Sequence, residues 1–420
     1  MNTTITNIKQ LVGVRTTSKV LRGMELAELP VIDNAYLVIE SGAIAEYGSM
    51  TSIEHSKFKI ENKVDAPGQM LLPCWCDSHT HLVFAASREE EFVDKINGMS
   101  YAEIAANGGG ILNSARKLND MSEDQLFNTA WQRLKEVATL GTGAVEIKSG
   151  YGLSVQGELK MLRVIKKLKE RSNLAIRSTF LGAHAYPLEY KHNHPGYIDC
   201  IVNEMLPVIG KEKLADYIDV FCESGFFSTE EMEIICKAGM SYGLKPKLHV
   251  NQLNSIGGIE SGMKLNAVSL DHLEALTEED IKALSTPRPL EGVMSGPVAT
   301  LLPTAAFFLR MPFPPARRLI DAGCAVALAS DYNPGSSPSG NMNLVVSMAC
   351  IQMKMLPAEA INAATLNGAC AMEVEKEAGT ITVGKKANLI FTKPIPSLAY
   401  LPYAFGTNLV DKVMINGEFI

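Results

Sequence analysis

His79 and His81 stand one residue apart at the end of a short apolar run, 71–81. Successive side chains of a β-strand point to opposite faces, so the two imidazoles face the same side and could hold one metal ion. Taken alone, the pair is better explained as two polar residues in a strand-to-helix turn. Further candidate ligands are therefore needed before it indicates a metal site.

Three such candidates occupy the same place in later runs. His249 closes the fifth apolar run, His272 the sixth and Asp331 the eighth, and barrel enzymes assemble their sites at the carboxyl ends of strands. Together with the first two histidines, these residues form a nitrogen and oxygen ligand set suited to one divalent ion, zinc or iron(II), with room for a water molecule.

A metal site of this kind predicts hydrolysis, because a bound divalent ion lowers the pKa of water toward about 7. A neighbouring carboxylate can accept the proton of that water and pass it to a leaving nitrogen, and Asp331 is the natural candidate. His272 could polarise the attacked carbonyl. Its alternative role is that of a hydrogen-bonded histidine packed at the barrel mouth.

Eight short apolar runs must position these residues. Each ends in polar or glycine-rich residues and precedes a helical pattern, which is typical of β/α units around a parallel sheet, and eight parallel strands can close a barrel. The runs are 71–81, 143–152, 174–187, 217–228, 244–252, 266–276, 292–302 and 324–335. We therefore predict an α/β fold with a TIM-like (β/α)8 barrel.

Capping signals predict two of the helices between these runs. Ser122 and Gln125 form a potential capping box before an apolar stripe, and Gly141 supplies a stop. Ser228 and Glu231 repeat the box after the fourth run.

The two ends of the chain have a different pattern, with short alternating pieces separated by glycine and proline, which is typical of strands. The runs 379–394 and 409–420 share this character with the first 65 or so residues. We expect the two ends to pair as one small β-sandwich domain. The predicted division is 1–66 with 375–420 for this domain and 67–374 for the barrel.

Composition excludes several classes of protein. Hydrophobic residues make up 46% of the 420-residue chain and the net charge is −7, so a large core is expected but not the clustered positive charge that binds nucleic acid or anionic lipid. An anionic ligand must then meet a local cation. Scattered cysteines and the lack of a signal-peptide or membrane-span pattern favour a cytoplasmic enzyme.

More specific motifs lie in six segments: DSHTHLVFAASREEEF (77–92), EIKSGYGL (146–153), FLGAHAYP (180–187), LHVNQLNSIGG (248–258), DHL (271–273) and SDYNPG (330–335). They resemble the imidazolonepropionase family of the amidohydrolase superfamily over most of the chain. The resemblance implies one zinc or iron ion, ring-opening hydrolysis of 4-imidazolone-5-propanoate to N-formimidoyl-L-glutamate in histidine breakdown, and usually a homodimer.

By position, the resemblance assigns four metal ligands: His79, His81, His249 and Asp331. It assigns substrate contacts to Arg88, Tyr151, His184, Asn333, Gly335 and Ser336. Arg88 presents a planar fork of donors that suits the anionic propionate of this small-molecule substrate, although an exposed salt bridge would also explain it. Tyr151 and His184 can hydrogen-bond a carboxylate or a ring, and turn chemistry alone could explain the Asp-x-Asn-Pro-Gly segment.

Gln252 departs from the family pattern, in which many members carry glutamate three residues after the histidine of the fifth run. Glutamine keeps the hydrogen bonds but cannot carry a proton near neutral pH. We therefore expect Gln252 to bind the imidazolone ring and leave proton transfer to Asp331, with His272 as a further candidate.

Two other functions remain open from the sequence. One is a different cyclic amidohydrolase or a purine or pyrimidine deaminase of the same superfamily; the absence of glutamate at Gln252 speaks against a deaminase. The other is a catalytically silent metal-binding barrel, which would have no physical need for the complete ligand set.

Overall fold

The computed structural model describes residues 2–59, 61–99, 103, 109–286, 288–290 and 293–420. Within them the chain forms a parallel barrel sheet of eight strands, a mixed sheet of eight strands and a separate two-stranded antiparallel sheet. The predicted fold class is confirmed.

Each of the eight apolar runs contributes one strand to the barrel. In chain order, the first to eighth barrel strands are Trp75–Thr80, Thr142–Lys148, Ala175–Ala183, Tyr217–Cys222, Lys245–Val250, Ser269–His272, Val298–Leu301 and Val326–Leu328. The ring is nearly closed just after the eighth strand, where the Asp331 N–H donates to the His79 carbonyl at 3.0 Å and the His81 N–H donates to the Tyr332 carbonyl at 2.9 Å. All the carboxyl ends therefore meet at one mouth.

Helices connect the strands. Their bounds are Glu89–Ile96, Gly110–Asp120, Glu123–Thr139, Val155–Arg171, His194–Cys200, Leu206–Glu212, Thr229–Ser241, Gly258–Lys264, Glu278–Ser285, Pro303–Leu309, Ala316–Asp321, Met342–Met353, Pro357–Ala364, Leu366–Cys370 and Tyr400–Tyr403. Both predicted capping boxes are present, at Ser122 with Gln125 and at Ser228 with Glu231. None of the helices in the described part of the chain is long and apolar enough to span a membrane.

The mixed sheet combines both ends of the chain, as expected. Its strands are Asn2–Val12, Val31–Glu40, Ala43–Ser49, Asn62–Asp65, Met70–Pro73, Leu389–Thr392, Val410–Ile415 and Glu418–Phe419. The strand Met70–Pro73 pairs with strands from both ends of the chain and leads directly into the first barrel strand. The division at residues 66 and 375 stays a prediction.

The interior is mainly apolar. One large cluster of buried side chains joins the barrel to its helices, and a second fills the mixed sheet. Fully buried charged residues instead gather inside the barrel, among them Glu146, Lys148, Lys247 and Asp271. Such residues need compensating partners, so they direct attention to the site.

Candidate active site

Four side chains that the sequence assigns to the metal converge inside the barrel. The histidines His79, His81 and His249 each offer a ring nitrogen, and these nitrogens all lie within 4.8 Å of one another. Asp331 Oδ1 lies 3.6 Å from His79 Nε2 and 3.5 Å from His81 Nε2. These distances would allow one ion to lie between the side chains.

Two buried aspartates that the sequence interpretation missed hold two of these imidazoles. Asp271 Oδ2 accepts from His79 Nδ1 at 2.6 Å, and Asp219 Oδ2 accepts from His249 Nδ1 at 2.8 Å. Because a carboxylate can only accept, each Nδ1 carries the proton and each Nε2 presents a lone pair. The two aspartates thus fix the tautomer and orientation that a metal requires.

Lys148 joins these aspartates from below. Its ammonium donates to Glu146 and to Asp219, both at 2.9 Å, and lies 3.8 Å from Asp271. Burial alone would lower the pKa of Lys148, but Asp219, Glu146 and Asp271 raise it above its usual value. A charged amine that is paired with three buried carboxylates acts as their structural counter-ion.

The three clustered imidazoles are neutral. Burial holds the pKa of His79, His81 and His249 well below the usual range, and neighbouring cationic or imidazole groups lower it further. Among the described residues, no hydrogen-bond partner reaches the buried His79 Nε2. This nitrogen of His79 is aimed at the other ligands of the cluster. The three neutral imidazoles and the carboxylate together fit a divalent metal ion.

Asp331 lies on a strained turn after the eighth strand, with a φ of 53°. Burial raises its pKa to about 6, against the opposing effect of His272. Ser336 Oγ donates to Asp331 Oδ2 at 3.1 Å. The carboxylate is therefore held at the cluster with a proton affinity that suits transfer near neutral pH.

Asn333 organises the same loop. Its Oδ1 accepts from the N–H groups of Gly335 and Ser336, and its Nδ2 donates to the Asp331 carbonyl and to Ser336 Oγ. These four bonds use the full capacity of the amide. The turn explanation is thus favoured for Asn333, and its contact with substrate stays a prediction.

His272 also reaches the cluster. Its ring centroid lies 5.2 Å from that of His249, and both His272 and Leu273 have positive φ, 86° and 66°, which is costly for residues other than glycine. Burial would lower the pKa of His272, but Glu274, at 3.5 Å from Nδ1, and Asp331 raise it. A raised pKa favours the protonated ring, which can donate a hydrogen bond to a carbonyl oxygen.

Arg88 lies beside the cluster and is half-buried. Its Nε donates to Ser114 Oγ at 2.8 Å, and its guanidinium carbon lies 5.8 Å from the centre of the Tyr151 ring. A Cβ at Gly335 would come within 2.6 Å of Arg88 Nη1, so this glycine lets the guanidinium lie close against the Asp331 loop. The predicted anion-binding residue therefore faces the mouth that holds the ligands.

His184 completes this side of the mouth. Its ring stacks on His81 at a centroid distance of 5.3 Å, and its Nδ1 donates to the Gly150 carbonyl at 3.0 Å. Burial lowers the pKa of His184 to about 4. A neutral ring whose Nδ1–H is already used offers Nε2 as an acceptor, so it suits an N–H of a ring better than a carboxylate.

Gln252 follows the fifth barrel strand in a loop that another unexpected carboxylate holds. Glu223 Oε2 accepts from the N–H groups of Leu253 and Asn254 at 2.8 and 3.1 Å. Glu223 is itself buried. The loop of Gln252 is therefore anchored immediately after this residue.

Comparison with known proteins decides the family. The imidazolonepropionase of Flavobacterium johnsoniae is 58% identical over 421 residues, which cover 100% of both chains. The chain belongs to the imidazolonepropionase family. Another member, from Christiangramia forsetii, is 54% identical with the same coverage, and the amidohydrolase family model matches residues 206–420.

Solved structures agree on the fold of this imidazolonepropionase-family chain. Guanine deaminase of E. coli superimposes with a TM-score of 0.72 over 100% of this chain and 99% of its own, at 13% sequence identity. Identity this low shows a shared fold alone. The family and the His/Asp cluster together support a divalent metal site.

Proposed function

We propose that the protein hydrolyses 4-imidazolone-5-propanoate to N-formimidoyl-L-glutamate in histidine degradation. The observation that carries the proposal is the cluster of three neutral imidazoles and Asp331, with Arg88 beside it, in a chain 58% identical over its full length to an imidazolonepropionase. In this reaction the oxygen of water bonds to the ring carbonyl carbon, the carbon–nitrogen amide bond breaks, and a water proton passes to the leaving nitrogen.

His79, His81, His249 and Asp331 would hold one zinc or iron(II) ion. When bound, the ion supplies Lewis acidity that makes water nucleophilic near neutral pH. The aspartates behind His79 and His249 keep the ligand nitrogens aimed at one point, which is typically worth 10- to 100-fold in metal affinity or activity.

Asp331 and His272 would divide the proton work. With a pKa near 6, Asp331 is ionised at neutral pH and can accept a proton from water before releasing it to the leaving nitrogen. The raised pKa of His272 favours its protonated form, which would donate to the ring carbonyl oxygen as negative charge develops there.

The substrate would bind at the part of the barrel mouth that Arg88, Tyr151 and His184 line, which we call the substrate side. Arg88 would form a bidentate pair with the propionate, while His184 Nε2 accepts a ring N–H and Tyr151 packs between them. Gln252 would hydrogen-bond the imidazolone ring, and Gly335 and Ser336 would contact substrate from the Asp331 loop.

We also propose that the protein is a homodimer, as the family resemblance implies, and that it acts in the cytoplasm. All eight cysteines of the chain are free thiols, six of them buried, which fits a reducing compartment.

The decisive experiment follows the ultraviolet absorbance of imidazolone propionate with purified protein, before and after chelation and after return of zinc or iron(II). We expect the absorbance to fall only when the metal is present. Metal analysis of protein purified without added metal would identify the ion. An absorbance that is stable under all conditions would refute the function. Metal-dependent release of an amino group from a purine would instead support a deaminase.

A further inference from the structure

Glu158 is a fully buried carboxylate that none of the roles above uses. It lies on the first turn of the helix Val155–Arg171. Oε2 accepts from the Gly150 N–H at 2.9 Å, and Oε1 accepts from the Gly152 and Leu153 N–H groups at 2.7 and 3.0 Å. Because both oxygens accept, the group serves this loop as a carboxylate, and such charge-assisted bonds are the strong ones.

The loop 149–153 is shaped to reach this carboxylate. Gly150 has a φ of 113°, a region that is readily open only to glycine. A Cβ at Gly152 would lie 2.3 Å from the Glu158 nitrogen, so a side chain there would push the loop off the helix. Gly150 and Gly152 thus allow the main chain to turn tightly around the Glu158 carboxylate.

This loop carries or touches the side chains that the proposed function assigns to substrate. Tyr151 lies between the two N–H groups, of Gly150 and Gly152, that Glu158 binds. The Gly150 carbonyl accepts from His184 Nδ1 at 3.0 Å, so the same peptide segment also sets the His184 ring.

Two further bonds tie the loop to its surroundings. Ser149 Oγ accepts from the Leu181 N–H at 3.0 Å; burial raises the pKa of the Glu158 carboxyl, and the Ser149 hydroxyl opposes that shift. Asn119 Nδ2 donates to the Gly152 carbonyl at 2.9 Å, and its helix, Gly110–Asp120, also carries the serine that binds Arg88. Glu158 therefore accepts from three N–H groups of a loop that is also bound by Asn119 and that contacts His184.

We propose that Glu158 is a positioning residue that fixes the loop 149–153, and with it Tyr151 and His184, in the geometry that binds the substrate. The proposal rests on the proposed function and deepens it. Because these side chains contact parts of the substrate away from the bond that breaks, their displacement weakens ground-state and transition-state binding alike and raises KM.

Glu158→Gln is the direct test. The amide NH2 must face at least one loop N–H, so one or more bonds are lost. We expect KM for imidazolone propionate to rise about 10- to 100-fold, because binding common to the ground state and the transition state is lost, with kcat within about threefold and metal content unchanged. Hydrogen exchange should accelerate in the peptide 149–154 and not in 330–336.

Two variants accompany it. Glu359→Gln is the matched control, because Glu359 is equally buried but binds Arg317 and the Leu356 N–H outside the candidate site; we expect lower stability and an unchanged KM. Ser149→Ala removes the hydroxyl that accepts from the Leu181 N–H and lowers the pKa of the Glu158 carboxyl. It should raise KM a few-fold, and an unchanged KM would overturn the positioning role if Glu158→Gln does not fold.

An unchanged KM in Glu158→Gln, or a loss of kcat and metal without a change in KM, would overturn the positioning role. Wild-type protein that fails to hydrolyse imidazolone propionate would refute the proposed function instead. In that case the exchange rates of 149–154 still decide whether Glu158 holds the loop: acceleration supports that role and unchanged rates exclude it.

Discussion

The two sides of the barrel mouth are built differently. On the metal side, His79, His249 and Asp331 are buried. Two aspartates hold the two imidazoles, and lysines inside the barrel bind these aspartates. On the substrate side, Arg88 precedes a helix, Glu89–Ile96, with no buried residue. There, three main-chain N–H groups donate to the Glu158 carboxylate, and these hydrogen bonds fix the loop that carries Tyr151.

This difference separates chemistry from recognition. Ligands on strand ends share the rigidity of the barrel and tolerate little displacement, whereas loops can change substrate contacts without disturbing the ion. Changes on the metal side should therefore act on metal affinity and kcat together. Changes on the substrate side should act on KM.

The largest effect is expected for Asp331→Asn. The amide keeps the shape but cannot accept a proton, and it is a poorer metal ligand, so kcat should fall 10²-fold or more. Steady-state kinetics with metal analysis measure both effects. Asp321→Asn, in an exposed helix pair with Arg317, should leave kcat unchanged, and nearly full activity of Asp331→Asn would remove this residue from proton transfer.

The next effect concerns the support of the ligands. Asp271→Asn can place an NH2 group against His79 Nδ1 and disturb the tautomer, so the metal dissociation constant should rise about 10- to 100-fold. Equilibrium dialysis with metal analysis tests this directly. If wild-type affinity persists while KM rises, the division between the two sides of the mouth is wrong.

Sequence could predict the ligand positions because strand ends are marked by apolar runs that stop at polar residues, as at His249 and Asp331. It did not reveal the supporting aspartates. Asp219 and Asp271 stand within the apolar runs and serve histidines 30 and 192 positions away. An acidic residue inside a buried strand was the available signal, since such residues are rarely buried unless paired, but its partner depends on tertiary structure.

The substrate side was predictable in a different way. Arg88, Tyr151 and His184 came from family-like motifs, and these residues do face one mouth in the structure. Glu158 was missed because its partners are main-chain N–H groups, which leave no pattern of side chains to recognise. The two glycines that flank Tyr151 were the sequence feature that indicated a tightly turned loop.

A moderate effect is expected on the substrate side from Arg88→Lys. Lysine keeps the charge but loses the planar fork that matches a carboxylate, so KM should rise roughly tenfold with kcat and metal content near wild type. Arg116→Lys is the matched control, because Arg116 lies on the neighbouring helix and pairs with Asn113 at the surface. A fall in kcat with unchanged KM would assign Arg88 to the chemistry rather than to recognition.

The smallest effect is expected for Gln252→Glu. If Asp331 moves the proton, a second carboxylate is not needed. Glutamate at this position keeps only part of the hydrogen bonding of the amide. It also adds negative charge next to Leu253, whose N–H already donates to the Glu223 carboxylate. Activity should stay within about tenfold of wild type. Gln252→Leu, which removes the hydrogen bonds without adding charge, should raise KM more. A large gain of kcat in Gln252→Glu, with little loss in Asp331→Asn, would contradict the assignment of proton transfer to Asp331.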